Sequence, residues 1–313
     1  MTRPGARTAL KAVVTVSLLG WFLHQFGTRR ALDSLRTAHS ADLAVIFALS
    51  VLMILTIALR WHLLLRAVAG PRLRFGEVSE ATFVGYYAGY FLPSVGGDAV
   101  RVSCLAGPGR RPVLLAVSAL VDRSLGLVAL LALGITAVFL HGSTGDRRWV
   151  VWLVYVSAAA TVALTLALCH ATGPAARGLD LLTGGLARRL ALLLRSVGDA
   201  AQLYAARKTV LLQAFGLSVV SQLLSISIYY DAALALGVDG RPLDFLYGVP
   251  VVNLAIVLPI SIGGIGVGEW TFVYIFADLG MPGDAAFSVS LLNLLARLAA
   301  GLAGATFYAI ARR

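Results

Sequence analysis

Two apolar stretches of this chain are interrupted in the same way. Phe91-Leu92-Pro93-Ser94-Val95-Gly96-Gly97-Asp98 and Leu258-Pro259-Ile260-Ser261-Ile262-Gly263-Gly264 each set Leu-Pro, a serine and a Gly-Gly pair into membrane-like sequence, with the prolines 166 residues apart (93 to 259). Proline removes a backbone donor and glycine admits dihedrals that other residues avoid, so each stretch breaks a helix. A break at membrane depth is tolerated only where protein buries the freed backbone or where it lines a polar cavity. Two breaks at matching positions of two halves point to the binding site of a transporter.

The setting of these breaks is hydrocarbon. Hydrophobic residues make up 59% of the chain and charged residues only 13%, about half the charged share of a soluble domain. Several runs approach the ~20 apolar residues that cross a bilayer. The net charge of +11 does not imply a nucleic-acid partner, because the cations cluster in loops, as cytoplasmic retention of Lys and Arg produces. Cys104 and Cys169 lie far apart in apolar surroundings and read as small buried hydrophobes. The five histidines are scattered, so no metal site and no cofactor is implied. Arg3, Arg7 and Lys11 precede an apolar run that no small-residue cleavage pattern follows, which reads as an uncleaved first helix.

The pattern predicts an all-α polytopic membrane protein with six transmembrane helices and two re-entrant hairpins. The spans fall near 9–26, 43–65, 113–140, 149–170, 209–236 and 284–311. The first hairpin has limbs at 77–92 and from the Gly-Gly pair to Leu105, and the second at 243–258 and 268–279. The whole chain, 1–313, forms one transmembrane domain, with repeat 1 at 1–140 and repeat 2 at 149–313. Between its first two spans repeat 2 carries a basic segment, 171–208, whose spaced leucines suit a helix lying on the cytoplasmic membrane surface. With both termini inside and each hairpin returning to its own side, seventeen Lys and Arg lie on the cytoplasmic side and six outside. That is the positive-inside bias of a cell membrane protein. The two repeats then have opposite orientation, so their hairpin tips can meet near the midplane.

The residues that could carry chemistry sit beside these tips. Asp98 follows the first Gly-Gly pair, with Arg101 one helical turn on, and Glu269 follows the second. Asp122-Arg123 lies mid-span in the third helix and Arg297 mid-span in the last. An ionisable group at the bilayer centre costs about 2.5–3.5 kcal/mol on insertion scales, so such groups face water or each other. Asp98, Arg101, Asp122, Arg123, Glu269 and Arg297 are therefore the candidate substrate-binding residues. Pro93, Ser94, Gly96, Gly97, Pro259, Ser261, Gly263 and Gly264 form the tips. Arg123 and Arg297 would contact an anionic or zwitterionic headgroup, and Asp98 and Glu269 would hold those arginines when the site is empty, meet a cationic group or carry a proton. The helix N-termini after each Gly-Gly pair would offer N–H groups to a phosphate. The plainer alternative is that these charges only pair inside the bundle.

Other features read more simply. Ser94 and Ser261 suit helix capping. Arg60-Trp61-His62 reads as a helix end at the interface, where arginine can snorkel. Tyr86, Tyr87 and Tyr90 read as interfacial aromatics. Asp231 either lines the cavity or bonds a neighbouring tyrosine. Gly301 and Gly304 indicate close helix packing. Gly264-Ile265-Gly266-Val267-Gly268 lacks the strand of a nucleotide loop.

Three stretches together resemble one family: Leu92 to Arg101, Asp122-Arg123-Ser124-Leu125-Gly126, and Leu258 to Glu269. In this order, over nearly the whole chain, they are similar to the lysylphosphatidylglycerol synthase transmembrane (flippase-like) family. The resemblance implies movement of charged or glycosylated lipids between leaflets. Two-domain members add a soluble synthase domain for which this sequence has no room, so lipid lysylation is not expected. Gly268 stands where the family often has arginine, so a charge pair is not carried over to that position. The leading expectation is a lipid translocator, not an enzyme, with a membrane lipid as partner: an anionic, zwitterionic or aminoacylated headgroup, or a polyprenyl-linked one. A homo-oligomer is compatible with this. The alternatives are a membrane enzyme acting on a lipid-linked substrate and an accessory subunit docking through 171–208.

Overall fold

A computed structural model describes residues 38–69, 73–92, 96–107, 110–141, 206–258 and 261–311, with isolated positions between 152 and 204. The described residues form eight α-helices and no β-strand. They are α1 (Ser40–Ala69), α2 (Phe75–Gly89), α3 (Gly96–Leu105), α4 (Pro112–His141), α5 (Lys208–Ala235), α6 (Pro242–Val257), α7 (Val267–Asp278) and α8 (Gly283–Ala311). Four of them, α1, α4, α5 and α8, are long and apolar enough to cross a bilayer. The protein is a multi-pass membrane protein. The expected spans near 9–26 and 149–170 and the surface segment 171–208 fall wholly or mainly outside the described residues, as do Pro93, Ser94 and Pro259.

Helix ends follow the local chemistry. Helix α6 opens with Pro242 at its first position, where no N–H is needed. Asp244 then accepts the Arg241 backbone N–H at 3.3 Å. The second tip is a run of turns in which Gly263, Gly264 and Gly266 have φ of 62°, 75° and 84°, a region that a Cβ disfavours. The helices flanking the tips, α2, α3, α6 and α7, have 15, 10, 16 and 12 residues. At about 1.5 Å per residue each is shorter than a hydrocarbon core about 30 Å thick.

The two hairpins are closed by different means. In the first, α2 and α3 meet backbone to backbone: a Cβ on Gly97 would lie 2.5 Å from the Gly85 carbonyl oxygen and 2.9 Å from the Gly89 Cα. In the second, rings fill the space. Phe272 stacks on Phe276 with centroids 4.0 Å apart and on Tyr229 at 5.1 Å, and Phe245 tilts onto Phe276 at 4.8 Å. The tips also meet each other, because Gly263 lies against the Tyr90 backbone at the end of α2, where any Cβ would collide.

Around the hairpins, α1 packs most extensively on α5 and α4 on α6, while α8 packs on α1, α2 and α7 alike. The set of contacting helix pairs is unchanged when α1, α2, α3 and α4 are exchanged with α5, α6, α7 and α8 respectively. Gly301 and Gly304 of α8 seat Tyr87 and Phe83 of α2, the close packing the sequence suggested. Of the isolated positions, Tyr155 is buried against Gly134 of α4, and the Tyr204 hydroxyl donates to the Leu64 carbonyl at 3.0 Å. Cys104 is exposed rather than buried.

Candidate functional site

A cavity of about 360 Å³ lies between the hairpins and the long helices. It is lined by residues of both tips and both halves, including all six candidates: Asp98, Arg101, Asp122, Arg123, Glu269 and Arg297. Gly97, Ser261, Gly263 and Gly264 line it too, while Gly96 sits beside it at the start of α3. Tyr86, Tyr90 and Tyr229 are also part of the wall, so two of the three tyrosines read as interfacial belong to the site. Asp231 does not line it.

The first-half wall is a chain of ion pairs. Asp122, buried in α4, accepts from Arg60 Nε at 2.5 Å and from Arg101 Nη1 at 2.9 Å. Arg101 Nη2 reaches Asp98 at 2.9 Å, and the other Asp98 oxygen accepts from Arg123 Nη1 at 2.8 Å. Three arginines thus share two carboxylates. A guanidinium offers five donors in a fixed fork, which lets Arg101 bridge two acids at once. Its charged end also lies 4.5 Å from the centre of the Trp61 ring, and Trp61 is fixed by a 3.0 Å bond from Nε1 to Ser118 Oγ.

Arg60 corrects the interfacial reading of Arg60-Trp61-His62. It is only 5% exposed and donates to Ser218 Oγ of α5 at 2.9 Å as well as to Asp122. Helix α1 continues nine residues beyond it to Ala69, so Arg60 cannot snorkel out and is neutralised in place. Its partner Asp122 lies 62 residues away in sequence.

The second-half wall is built otherwise. Glu269 does not hold Arg297. It is the third residue of α7, and its Oε2 turns back to accept the Gly266 N–H at 2.6 Å. This is the acidic half of a capping box. The α7 N-terminus therefore already carries a carboxylate, which corrects the expectation that its N–H groups are open to a phosphate. At the first tip α3 begins at Gly96, within the Gly-Gly pair rather than after it.

Arg297 has neutral neighbours. Its Nη2 donates to Ser225 Oγ at 2.6 Å, and the guanidinium lies 5.3 Å from the centre of the Tyr229 ring. Asn253 Nδ2 donates to the same serine at 2.9 Å. Ser261 suits a helix cap by sequence, but among the described residues its buried hydroxyl has no partner. The helix it would have capped starts six residues on, at Val267, and Glu269 caps it.

Among the described residues no group of three His, Cys, Asp or Glu side chains could hold a metal ion. The arrangement can bind charge and present a polar surface within apolar helices. A search of curated proteins finds no match. The family model of the lysylphosphatidylglycerol synthase TM region matches residues 8–304.

Proposed function

The chain belongs to the lysylphosphatidylglycerol synthase TM-region family, and from that premise we propose that it is a lipid translocator. The family places the protein in lipid-related membrane function. The finer reading is carried by one observation: both hairpin tips and seven charged residues converge on a single cavity enclosed by membrane helices. A polar headgroup passes through this cavity while the acyl chains stay in the bilayer.

The exchange symmetry of the helix contacts supports two structural repeats, and the positive-inside bias supports opposite orientations for them. In that arrangement two hairpins rocking about a shared midplane site give alternating access. Gly263 against Tyr90 is where they bear on each other. The same bias supports a cell-membrane location with both termini in the cytoplasm.

Reconstitution into liposomes with fluorescent lipids of differing headgroup tests the reading, with leaflet exchange followed by dithionite quenching. Headgroup-dependent exchange that falls at least tenfold in Arg123→Ala and Arg297→Ala is the expected result. Folded protein that exchanges no lipid overturns it.

A further inference from the structure

The cations of the cavity differ in what they have left to bind. Arg60, Arg101 and Arg123 are held by Asp98 and Asp122. Among the described residues no carboxylate lies within ion-pair distance of Arg297, which is buried all the same. Among the described residues, four buried side-chain atoms without a hydrogen-bond partner belong to the cavity: Arg101 Nε, Arg297 Nε, Ser261 Oγ and Asn293 Oδ1. Three of the four are in the second half. Ser261, Asn293 and Arg297 are 3%, 4% and 8% exposed, so bulk water does not satisfy them. Buried polar atoms without partners are costly, and a buried cation without a counter-charge more so. Such groups persist where something else completes them.

We propose that the second-half wall of the cavity is a phosphate subsite. Arg297 supplies charge-assisted donors, Ser261 adds a hydroxyl donor, and Asn293 Oδ1 accepts from a hydroxyl beside the phosphate. Asn293 and Arg297 are four residues apart on α8, so they share a face. The ligand class is an anionic phosphate ester. An amine-bearing headgroup finds no free acid, because Asp98 and Asp122 are each shared by two arginines and Glu269 is turned onto its own helix end. That the phosphate belongs to a lipid rests on the translocator reading; the subsite itself does not require transport.

Calorimetry on the purified full-length protein in neutral detergent tests the subsite. The titrants are dihexanoyl phosphatidylglycerol, inorganic phosphate, and dihexanoylglycerol as the phosphate-free control. The phospholipid binds and the control does not. Arg297→Gln weakens binding at least tenfold, and Ser261→Ala weakens it severalfold. Asn293→Asp, nearly isosteric, gives Arg297 an acid on its own helix face and weakens binding at least tenfold with the melting temperature unchanged. Inorganic phosphate binding as tightly as the lipid keeps the subsite and makes the free anion its ligand. No binding of either phosphate compound, or equal affinity in Arg297→Gln and Asn293→Asp, overturns the proposal. Phosphate binding without lipid exchange in liposomes removes the translocator reading alone. Exchange without Arg297-dependent binding removes the subsite alone.

Discussion

The two halves of the molecule carry equivalent elements and use their charges in opposite ways. Asp98 and Glu269 both stand third in the helix that follows a tip. Asp98 turns outward to two arginines, whereas Glu269 turns back to its own N-cap. Asp122 is the eleventh residue of α4 (112 to 122), and the eleventh residue of α8 (283 to 293) is the neutral Asn293. The first half is thus an ion-paired scaffold, three arginines on two carboxylates, that fixes α1, α3 and α4 together. The second leaves one cation uncompensated among serine, asparagine and tyrosine. Two halves with matching helix contacts can divide their labour this way, because a charge spent on holding helices together is not available to a ligand.

The largest expected effect tests the scaffold. Asp122→Asn leaves Arg60 and Arg101 buried with too little negative charge, and breaking a buried pair from one side costs about 3–5 kcal/mol. Thermal unfolding in detergent reads this as a large drop in midpoint. An unchanged midpoint would mean that the ion-pair chain does not hold the first half together.

The third-position acids provide the direct contrast. Asp98→Asn weakens charge-assisted bonds to two arginines, with an expected loss of about 1.5–3 kcal/mol. Glu269→Gln keeps an oxygen that can accept the Gly266 N–H, since glutamine serves in a capping box, and costs less than about 1 kcal/mol. Equal losses in the two variants would erase the distinction drawn between the halves.

Sequence and structure agree on where helices start and stop, and part over the partners of single side chains. Apolar runs closed by Pro and Gly located α2, α3, α6 and α7 to within a few residues, and the long helices were legible for the same reason. The gathering of six charges at the tips followed from the cost of an isolated charge in hydrocarbon. Arg60 escaped because Arg-Trp-His near one end of an apolar run looks like an interface. The overlooked signal is that nine apolar-rich residues follow it before the helix ends. The expected Glu269–Arg297 pair failed through geometry. Arg123 is the twelfth residue of α4 (112 to 123), but Arg297 is the fifteenth of α8 (283 to 297). Three residues at 3.6 per turn carry a side chain most of the way around a helix and about 4.5 Å along it.

The contact between the tips gives a further contrast, between two glycines of similar backbone. Gly237 and Gly263 have φ of 65° and 62°. A Cβ on Gly237 meets nothing within 4 Å, while one on Gly263 strikes the Tyr90 backbone. Alanine at either position incurs the left-handed penalty of about 1–2 kcal/mol, but only Gly263→Ala must also push the hairpins apart. Lipid exchange should therefore fall at least tenfold in Gly263→Ala and stay near wild type in Gly237→Ala. Matched activities would remove the tip contact from the mechanism.

The smallest effect is expected at the outer end of the first hairpin. Glu77, the third residue of α2, meets Arg110 at 2.5 Å, and Arg110 also donates to the Leu105 carbonyl at 3.1 Å. The pair ties the start of α2 to the loop that leads into α4, yet both side chains are about one-third exposed. Solvent and headgroups screen such a pair, so Arg110→Ala should cost no more than about 1 kcal/mol. The corresponding acid of α6, Asp244, bonds Arg241 within its own helix start instead. If Arg110→Ala leaves stability intact but changes the lipid exchange rate, the Glu77–Arg110 pair acts on the motion of the first hairpin. The second hairpin, closed by Phe245, Phe272 and Phe276, is then the stationary partner.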